Sequence, residues 1–239
     1  MRFDISRTYA AQGGRDREIA LTVEIPVEDN LNQSRLMATP VKIHGILLAA
    51  GLSTRMGEPK QLLPFGNSTI VETAIDNMLD SKLDEVIVVI GHESGRVHEK
   101  IRNKPVKVVF NPNYKQGMLT SAQCGVQALS DCADAFALML VDQPFITSDL
   151  INRVVDAYKD SDKEIALPSY NYRRGHPAIF DRRYALDILA LNAESGGIRS
   201  LFKKNADDIH YVIVDTNRVL RDIDYRRDYE EALQDEKMV

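Results

Sequence analysis

The chain has 239 residues, 44% hydrophobic and 27% charged, with a formal net charge of −5. That composition is ordinary for a globular protein, and its acidic balance excludes a general affinity for nucleic acid or for an anionic membrane surface. No apolar run approaches the roughly 20 residues that span a bilayer, and no signal-peptide pattern is present.

Two cysteines occur, Cys124 and Cys132, with neither a CxxC nor a zinc spacing. They read as reduced, mostly buried thiols of a cytoplasmic protein. Residues 1–40 read as an N-terminal extension without chemistry. Within it, Ile19, Leu21, Val23 and Ile25 alternate with smaller or polar residues, as in a short half-buried strand. Gly13-Gly14, Pro26 and the polar run from Glu28 to Arg35 read as loop or disorder.

From residue 41 to 239 strand and helix signals alternate. Ile43 and Ile46 to Ala50 form an apolar run without polar alternation, which predicts a strand buried on both faces of a parallel sheet. It runs into Gly51, then a small, polar and basic loop, then Gly57, Pro59 and Lys60. Ser68-Thr69 with Glu72 predicts a capped helix whose apolar stripe includes Ile70, Ala74, Ile75 and Met78. Val86 to Ile90 is a second strand, Ser94 to Arg102 a polar helix, and Val106 to Phe110 a third strand. Asn111-Pro112-Asn113 is a turn, and Gly117 to Gly125 reads as a loop leading into a helix that ends near Ser130. Ala135 to Val141 is a fourth strand, ending at Asp142-Gln143-Pro144, and Thr147 or Ser148 caps a helix through Tyr158. Repeated β–α units of this length predict a parallel, doubly wound α/β sheet.

The second half breaks the rhythm. Glu164 to Pro168 reads as a strand, and Tyr170 to Phe180 as an inserted hairpin turning near Arg173-Arg174-Gly175. Short helices around 181–191 and 197–203, a strand at 209–214 and an amphipathic helix from Arg226 to Asp235 follow.

Two groups of residues could carry chemistry. After the first strand, Gly51, Ser53 and Gly57 would let backbone amides turn inward around anionic oxygens, with Arg55 and Lys60 as two fixed cations. The same residues also make ordinary turns. The spacing is neither a Walker A loop nor a dinucleotide fingerprint. Asp142, directly after the fourth strand, would face the crevice beyond the strand ends. There it either holds Mg2+ with a bound triphosphate or caps the turn before Pro144. Asp222 and Asp224, two apart, lie on one side if the segment is extended. No order or local motif suggests a Ser-His-Asp or Cys-His pair.

Ala49-Ala50-Gly51-Leu52-Ser53-Thr54-Arg55-Met56-Gly57, followed by Pro59-Lys60-Gln61-Leu62-Leu63-Pro64, resembles the signature of nucleotidyltransferases with a Rossmann-like fold, and most closely the molybdenum cofactor cytidylyltransferase family. The resemblance runs from about Lys42 to Leu233. It implies a mixed, mostly parallel doubly wound sheet, and transfer of CMP from CTP to the phosphate of molybdopterin with Mg2+. It also implies a molybdenum hydroxylase as a recipient of the finished cofactor.

Residue by residue, the resemblance places nucleotide contacts at Ala49, Ala50, Gly51, Ser53, Arg55, Gly57 and Lys60, and catalysis at Arg55, Lys60 and Asp142. Asp142-Gln143-Pro144 matches the family's metal position, where guanylyl-transferring relatives tend to carry Thr in place of Gln143. Asp222-Ile223-Asp224 matches the family's Asp-Ile-Asp-Thr-Pro, making Asp224 the second metal ligand, with Asp222 either the alternative ligand or a solvated charge, although Tyr225-Arg226 replaces Thr-Pro here. Gly117, Thr120 and Ser121 resemble the segment near base and ribose; on the residues alone Thr120 or Ser121 simply caps a helix. His176 in Gly175-His176-Pro177, with Gly197 and Arg199 in Ser195-Gly196-Gly197-Ile198-Arg199, resembles the surface for the second substrate. Guanylyl transfer, cytidylyl transfer to a sugar or isoprenoid phosphate, and a carrier of molybdopterin without turnover are the alternatives.

Overall fold

The computed structural model describes residues 40–192, 194 and 196–236. The strand read at Ile19–Ile25 and Ser195 of the second-substrate motif lie outside the described residues.

The apolar run after Val41 forms strand β1 (Ile43–Ala49), buried along its whole length. Its side chains alternate between two cores. Ile43, Leu47 and Ala49 face one layer of helices, and Ile46, Leu48 and Ala50 face the other. This two-sided burial is why the strand shows no polar alternation.

A small antiparallel pair, β2 (Pro64–Phe65) and β3 (Ser68–Thr69), leads into α1 (Ile70–Leu79). Thr69 and Glu72 close the predicted capping box, and α1 buries Ile70, Val71, Ala74, Ile75 and Met78. The larger of these each contribute about 2 kcal/mol by leaving water. Then come β4 (Glu85–Ile90), α2 (Ser94–Ile101), β5 (Lys107–Phe110), α3 (Met118–Gln127), β6 (Ala135–Leu140) and α4 (Ser148–Asp160). The second half adds β7 (Ile165–Tyr170), β8 (Arg173–Arg174), β9 (Ala178–Asp181), α5 (Tyr184–Ala190), α6 (Ile198–Lys204), β10 (Ile209–Ile213) and α7 (Arg226–Glu236).

The main sheet has the order β10-β7-β9-β6-β1-β4-β5, with β8 paired to β7 outside that path. β1 is parallel to β4 and β6, and β4 to β5. β9 runs antiparallel between β6 and β7. The sheet is therefore mixed and mostly parallel, with α1, α2, α4 and α7 covering one face and α3, α5 and α6 the other.

Several local expectations shift. The stretch from Gly117 to Gly125 is helix from Met118 onward, because the backbone turns at Gly117 itself (φ 106°). The hairpin turns at Asn171-Tyr172, both at positive φ, and closes β7 on β8. β9 instead inserts between β6 and β7. Asp222-Ile223-Asp224 is no strand; a 3-10 turn (Asn217–Leu220) precedes it, and Ile223 is fully buried. Cys124 is half-buried and Cys132 exposed, so neither is a core thiol. Among the described residues no helix is long and apolar enough to cross a membrane.

Candidate active site

The loop after β1 is shaped from within. Ser53 adopts a left-handed conformation (φ 53°), and its carbonyl accepts the amides of Met56 and Gly57, both at 3.1 Å. Its hydroxyl accepts the amide of Lys60 at 3.1 Å and donates to Gln61 Oε1 at 3.2 Å. Gly57, at φ 80°, closes the turn where a side chain would be strained. Ser53 thus works as the internal brace of the loop, and the brace sends the Lys60 side chain inward.

Lys60 Nζ donates to Asp142 Oδ2 at 2.7 Å, Asp224 Oδ1 at 2.9 Å and the carbonyl of Ile223 at 3.0 Å, which uses all three of its donors. Burial alone would push the ammonium towards neutrality, but the two carboxylates outweigh it and hold the Lys60 pKa above its ordinary value. Asp224 also takes Arg55 Nη1 at 2.6 Å. The hydrogen bond from Lys60 is the main reason that the Asp224 carboxyl sits below the usual range; burial opposes it, and the nearby charges of Lys60 and Arg55 assist it.

The acids come from distant parts of the chain. Asp142 follows β6, Asp224 follows the turn before α7, and the amide of Ile223 bonds the carbonyl of Asp142 at 2.9 Å. Asp222 turns elsewhere: its Oδ1 accepts Gln143 Nε2 at 2.6 Å, and burial raises its pKa despite that bond. Gln143 is itself buried, so it does not reach into open space to read a base.

Beside this cluster lies a cleft of about 330 Å³ at the carboxyl edge of the sheet. Ala50, Gly51, Ser53, Arg55 and Lys60 line one wall, Gly117 and Ser121 another, and Asp142 and Asp224 are also exposed to it. The other expected nucleotide contacts lie elsewhere. Ala49 packs into the opposite core, and Gly57 lies outside the lining. Thr120 Oγ1 is occupied locally by Asn111 and by the carbonyls of Asn113 and Gly117. Met118, inside the Gly117-to-Ser121 segment, also lines the cleft, as do Tyr114 and Lys115, which no motif singled out.

The residues that replace Thr-Pro in the late motif clasp the loop. Tyr225 lies against the Arg55 guanidinium, 5.8 Å from ring centre to Cζ, and Arg226 Nη1 pairs with Glu58 at 2.5 Å. Their partners sit some 170 positions upstream, beyond the reach of local pattern reading.

The three second-substrate residues lie outside the cleft lining. His176 Nδ1 is buried without a hydrogen-bond partner, and burial lowers the ring's pKa to about 4, with nearby Asp142 opposing. His176 is therefore neutral at pH 7. Gly197 precedes α6 at φ 60°, and Arg199 is exposed, with no ion pair among the described residues.

The donor set suits a divalent cation only in company. Asp142 Oδ1 is buried and has no hydrogen-bond partner, so it keeps its full coordinating capacity. Both oxygens of Asp224 already take cationic groups. Among the described residues no group of three or more His, Cys, Asp and Glu side chains could hold a metal. A metal here would take its remaining ligands from substrate phosphates and water, as Mg2+ commonly does.

The chain is 33% identical to the molybdenum cofactor cytidylyltransferase of Escherichia coli K12 over 138 residues, 57% of this chain and 69% of that protein. It is 31% identical to the nicotine blue oxidoreductase of Paenarthrobacter nicotinovorans over 147 residues, 58% of this chain and 71% of that protein. Among solved structures, Rv0371c of Mycobacterium tuberculosis H37Rv superposes with a TM-score of 0.74 at 27% identity, covering 82% of this chain and 100% of that one. Its complex with manganese gives a TM-score of 0.67 at 25% identity over the same shares. Residues 45–209, more than half of the chain, match the MobA-like NTP transferase domain, and the protein belongs to that family of nucleotidyltransferases.

Proposed function

We propose that this protein transfers CMP from CTP to the terminal phosphate of molybdopterin, releasing pyrophosphate and forming the cytosine dinucleotide form of the molybdenum cofactor. The observation that carries the reading is the cluster of Lys60, Asp142 and Asp224 beside a cleft walled by the Gly51 loop. Likeness to the cytidylyltransferase of E. coli supports the choice of nucleotide and acceptor.

An oxygen of the acceptor phosphate, already ionised, attacks the α-phosphorus of CTP. The bond from that phosphorus to the bridging oxygen breaks, and pyrophosphate carries the electron pair away. No covalent intermediate or protein nucleophile is required, so catalysis rests on positioning and on charge. Arg55 and Lys60 neutralise the leaving pyrophosphate, while the backbone at Ala50 and Gly51 borders the phosphates. In this reading Gly117 and Ser121 would contact ribose and base, and His176, Gly197 and Arg199, outside the cleft lining, would serve the acceptor. Asp142 and Asp224 would hold a divalent ion, Mg2+ in this reading, which supplies Lewis-acid stabilisation of the phosphates. The manganese complex of Rv0371c and the unpartnered Oδ1 of Asp142 support metal use. In the cell the protein would act in the cytoplasm and pass its product to a molybdenum hydroxylase.

The test is pyrophosphate release from CTP and GTP in parallel, with and without molybdopterin, before and after chelation. Release from CTP that needs both acceptor and metal supports the proposal. Release from GTP alone would assign guanylyl transfer, and binding of molybdopterin without release would make the protein a carrier.

A further inference from the structure

The charged groups lining the cleft are three cations, Arg55, Lys60 and Lys115, and two carboxylates, Asp142 and Asp224. The carboxylates are spoken for: Asp142 pairs with Lys60, and Asp224 with both Lys60 and Arg55. The two cations of the loop are thus neutralised before any ligand arrives. Lys115 makes no ion pair or hydrogen bond among the described residues. Its ammonium stands 6.0 Å from the ring centre of Tyr114, which lines the same cleft. The single surplus positive charge of the cleft therefore resides on Lys115.

We propose that Lys115 is a nucleotide-binding residue that captures the phosphate chain of the incoming nucleoside triphosphate. The assignment rests on the nucleotidyltransfer reading of the cleft. A polyanion entering the cleft meets Arg55 and Lys60 already committed to acids, and any gain from them needs those pairs to rearrange. Lys115 has no pair to give up, so its attraction is fully available at first contact. Its neighbour Tyr114 is held close to the backbone of Gly91: a Cβ at Gly91 would come within 2.7 Å of the Tyr114 Cβ and 2.8 Å of its Cγ. An exposed ammonium is partly screened by salt, which makes its share of binding ionic-strength dependent.

The test is calorimetric binding of CTP, inorganic triphosphate and cytidine to the full chain, as wild type, Lys115→Met, Lys115→Arg and Lys100→Met, at low and at high salt. Lys100 lies on α2 outside the cleft lining and controls for loss of one net charge. Lys115→Met should bind CTP and triphosphate about tenfold more weakly at low salt, as expected for one charge-assisted contact at an exposed site. The deficit should shrink at high salt, Lys115→Arg should restore most of it, and Lys100→Met should match wild type. Equal binding of triphosphate by wild type and Lys115→Met would overturn the assignment, as would a deficit confined to cytidine. If wild type binds triphosphate but no metal or acceptor condition yields pyrophosphate from CTP, the nucleotidyltransfer reading fails while the role of Lys115 as a phosphate contact stands.

Discussion

The backbone amide of Ile223 donates to the carbonyl of Asp142 across 2.9 Å. This bond joins the end of the central strand β6 to the segment before the last helix and fixes the acids of both around one point. Asp224 is turned into the cleft to meet Lys60 beside Asp142, and Asp222 is turned to Gln143. The two acids of the late motif therefore have different duties, and variants should separate them.

Asp142→Asn should lower the rate of pyrophosphate release from CTP by about 10²–10³-fold while the fold survives, because the charge stabilising the transition state is lost and the side-chain shape is kept. Asp224→Asn should also slow the reaction. In protein stripped of metal, both variants should need more added Mg2+ for half-maximal activity. Unchanged metal activation in both, checked beside circular dichroism of the folded state, would remove the acids from the metal site.

Asp222→Asn should act on stability instead. Burial raises the carboxyl of Asp222 above its value in the unfolded chain. Between the unfolded and folded values the native state binds more protons, so this group costs stability as pH rises through that window. The variant removes the buried charge and keeps an oxygen to accept Gln143 Nε2. It should melt above wild type at pH 7, with the gap closing as pH approaches 4. Thermal melts across that range decide it; a variant that melts lower at every pH would refute the assignment.

The outline of the fold was legible because β1, β4 and β6 are buried on both faces and so read as predominantly apolar runs, His44 in β1 and Glu85 at the start of β4 apart. Their carboxyl ends place Asp142 and the Gly51 loop together by topology alone. The insertion was harder to read. β9 is four residues long, and nothing in its composition says that it enters between β6 and β7 in the opposite direction. Nor could local pattern find contacts made across the chain, such as Arg226 with Glu58 or Gln143 with Asp222. Ser53 lines the cleft as its residue type suggested, and its bonds to Lys60 and Gln61, which no motif announced, brace the loop.

Gly175→Ala should disturb the site from behind. A Cβ at that position would come within 2.5 Å of the Val219 carbonyl oxygen and 2.6 Å of its Cβ. The backbone, not a flexible side-chain tip, would have to move. Val219 lies in the turn that leads to Asp222–Asp224, so the strain is passed towards the acids. A loss of about 1–3 kcal/mol in stability is expected from overpacking, with a fall in activity beyond what the unfolded fraction explains. Denaturant melts and turnover measured on the same sample test both parts.

Lys60→Met should be costly to both fold and function. Without the ammonium, Asp142 and Asp224 face each other with only Arg55, itself largely exposed, to compensate. Removing one partner from a mostly buried charge cluster destabilises by about 3 kcal/mol. The pH profile should change at both ends. Asp224, held below its unfolded value chiefly by the Lys60 hydrogen bond, contributes stability above pH 3.8 that is lost as pH falls through its folded value. In the variant that value rises, so acid unfolding should begin at a higher pH. Lys60, whose pKa is raised above 10.5 by the two acids against the opposing effect of burial, contributes stability below pH 10.5 that is lost as pH rises through the raised value. The variant should therefore lack that alkaline loss. Activity should fall by about 10²–10³-fold, as for loss of a group that stabilises developing charge. A variant with wild-type acid and alkaline limbs would show that Lys60 does not hold the two acids in solution, whatever its effect on turnover.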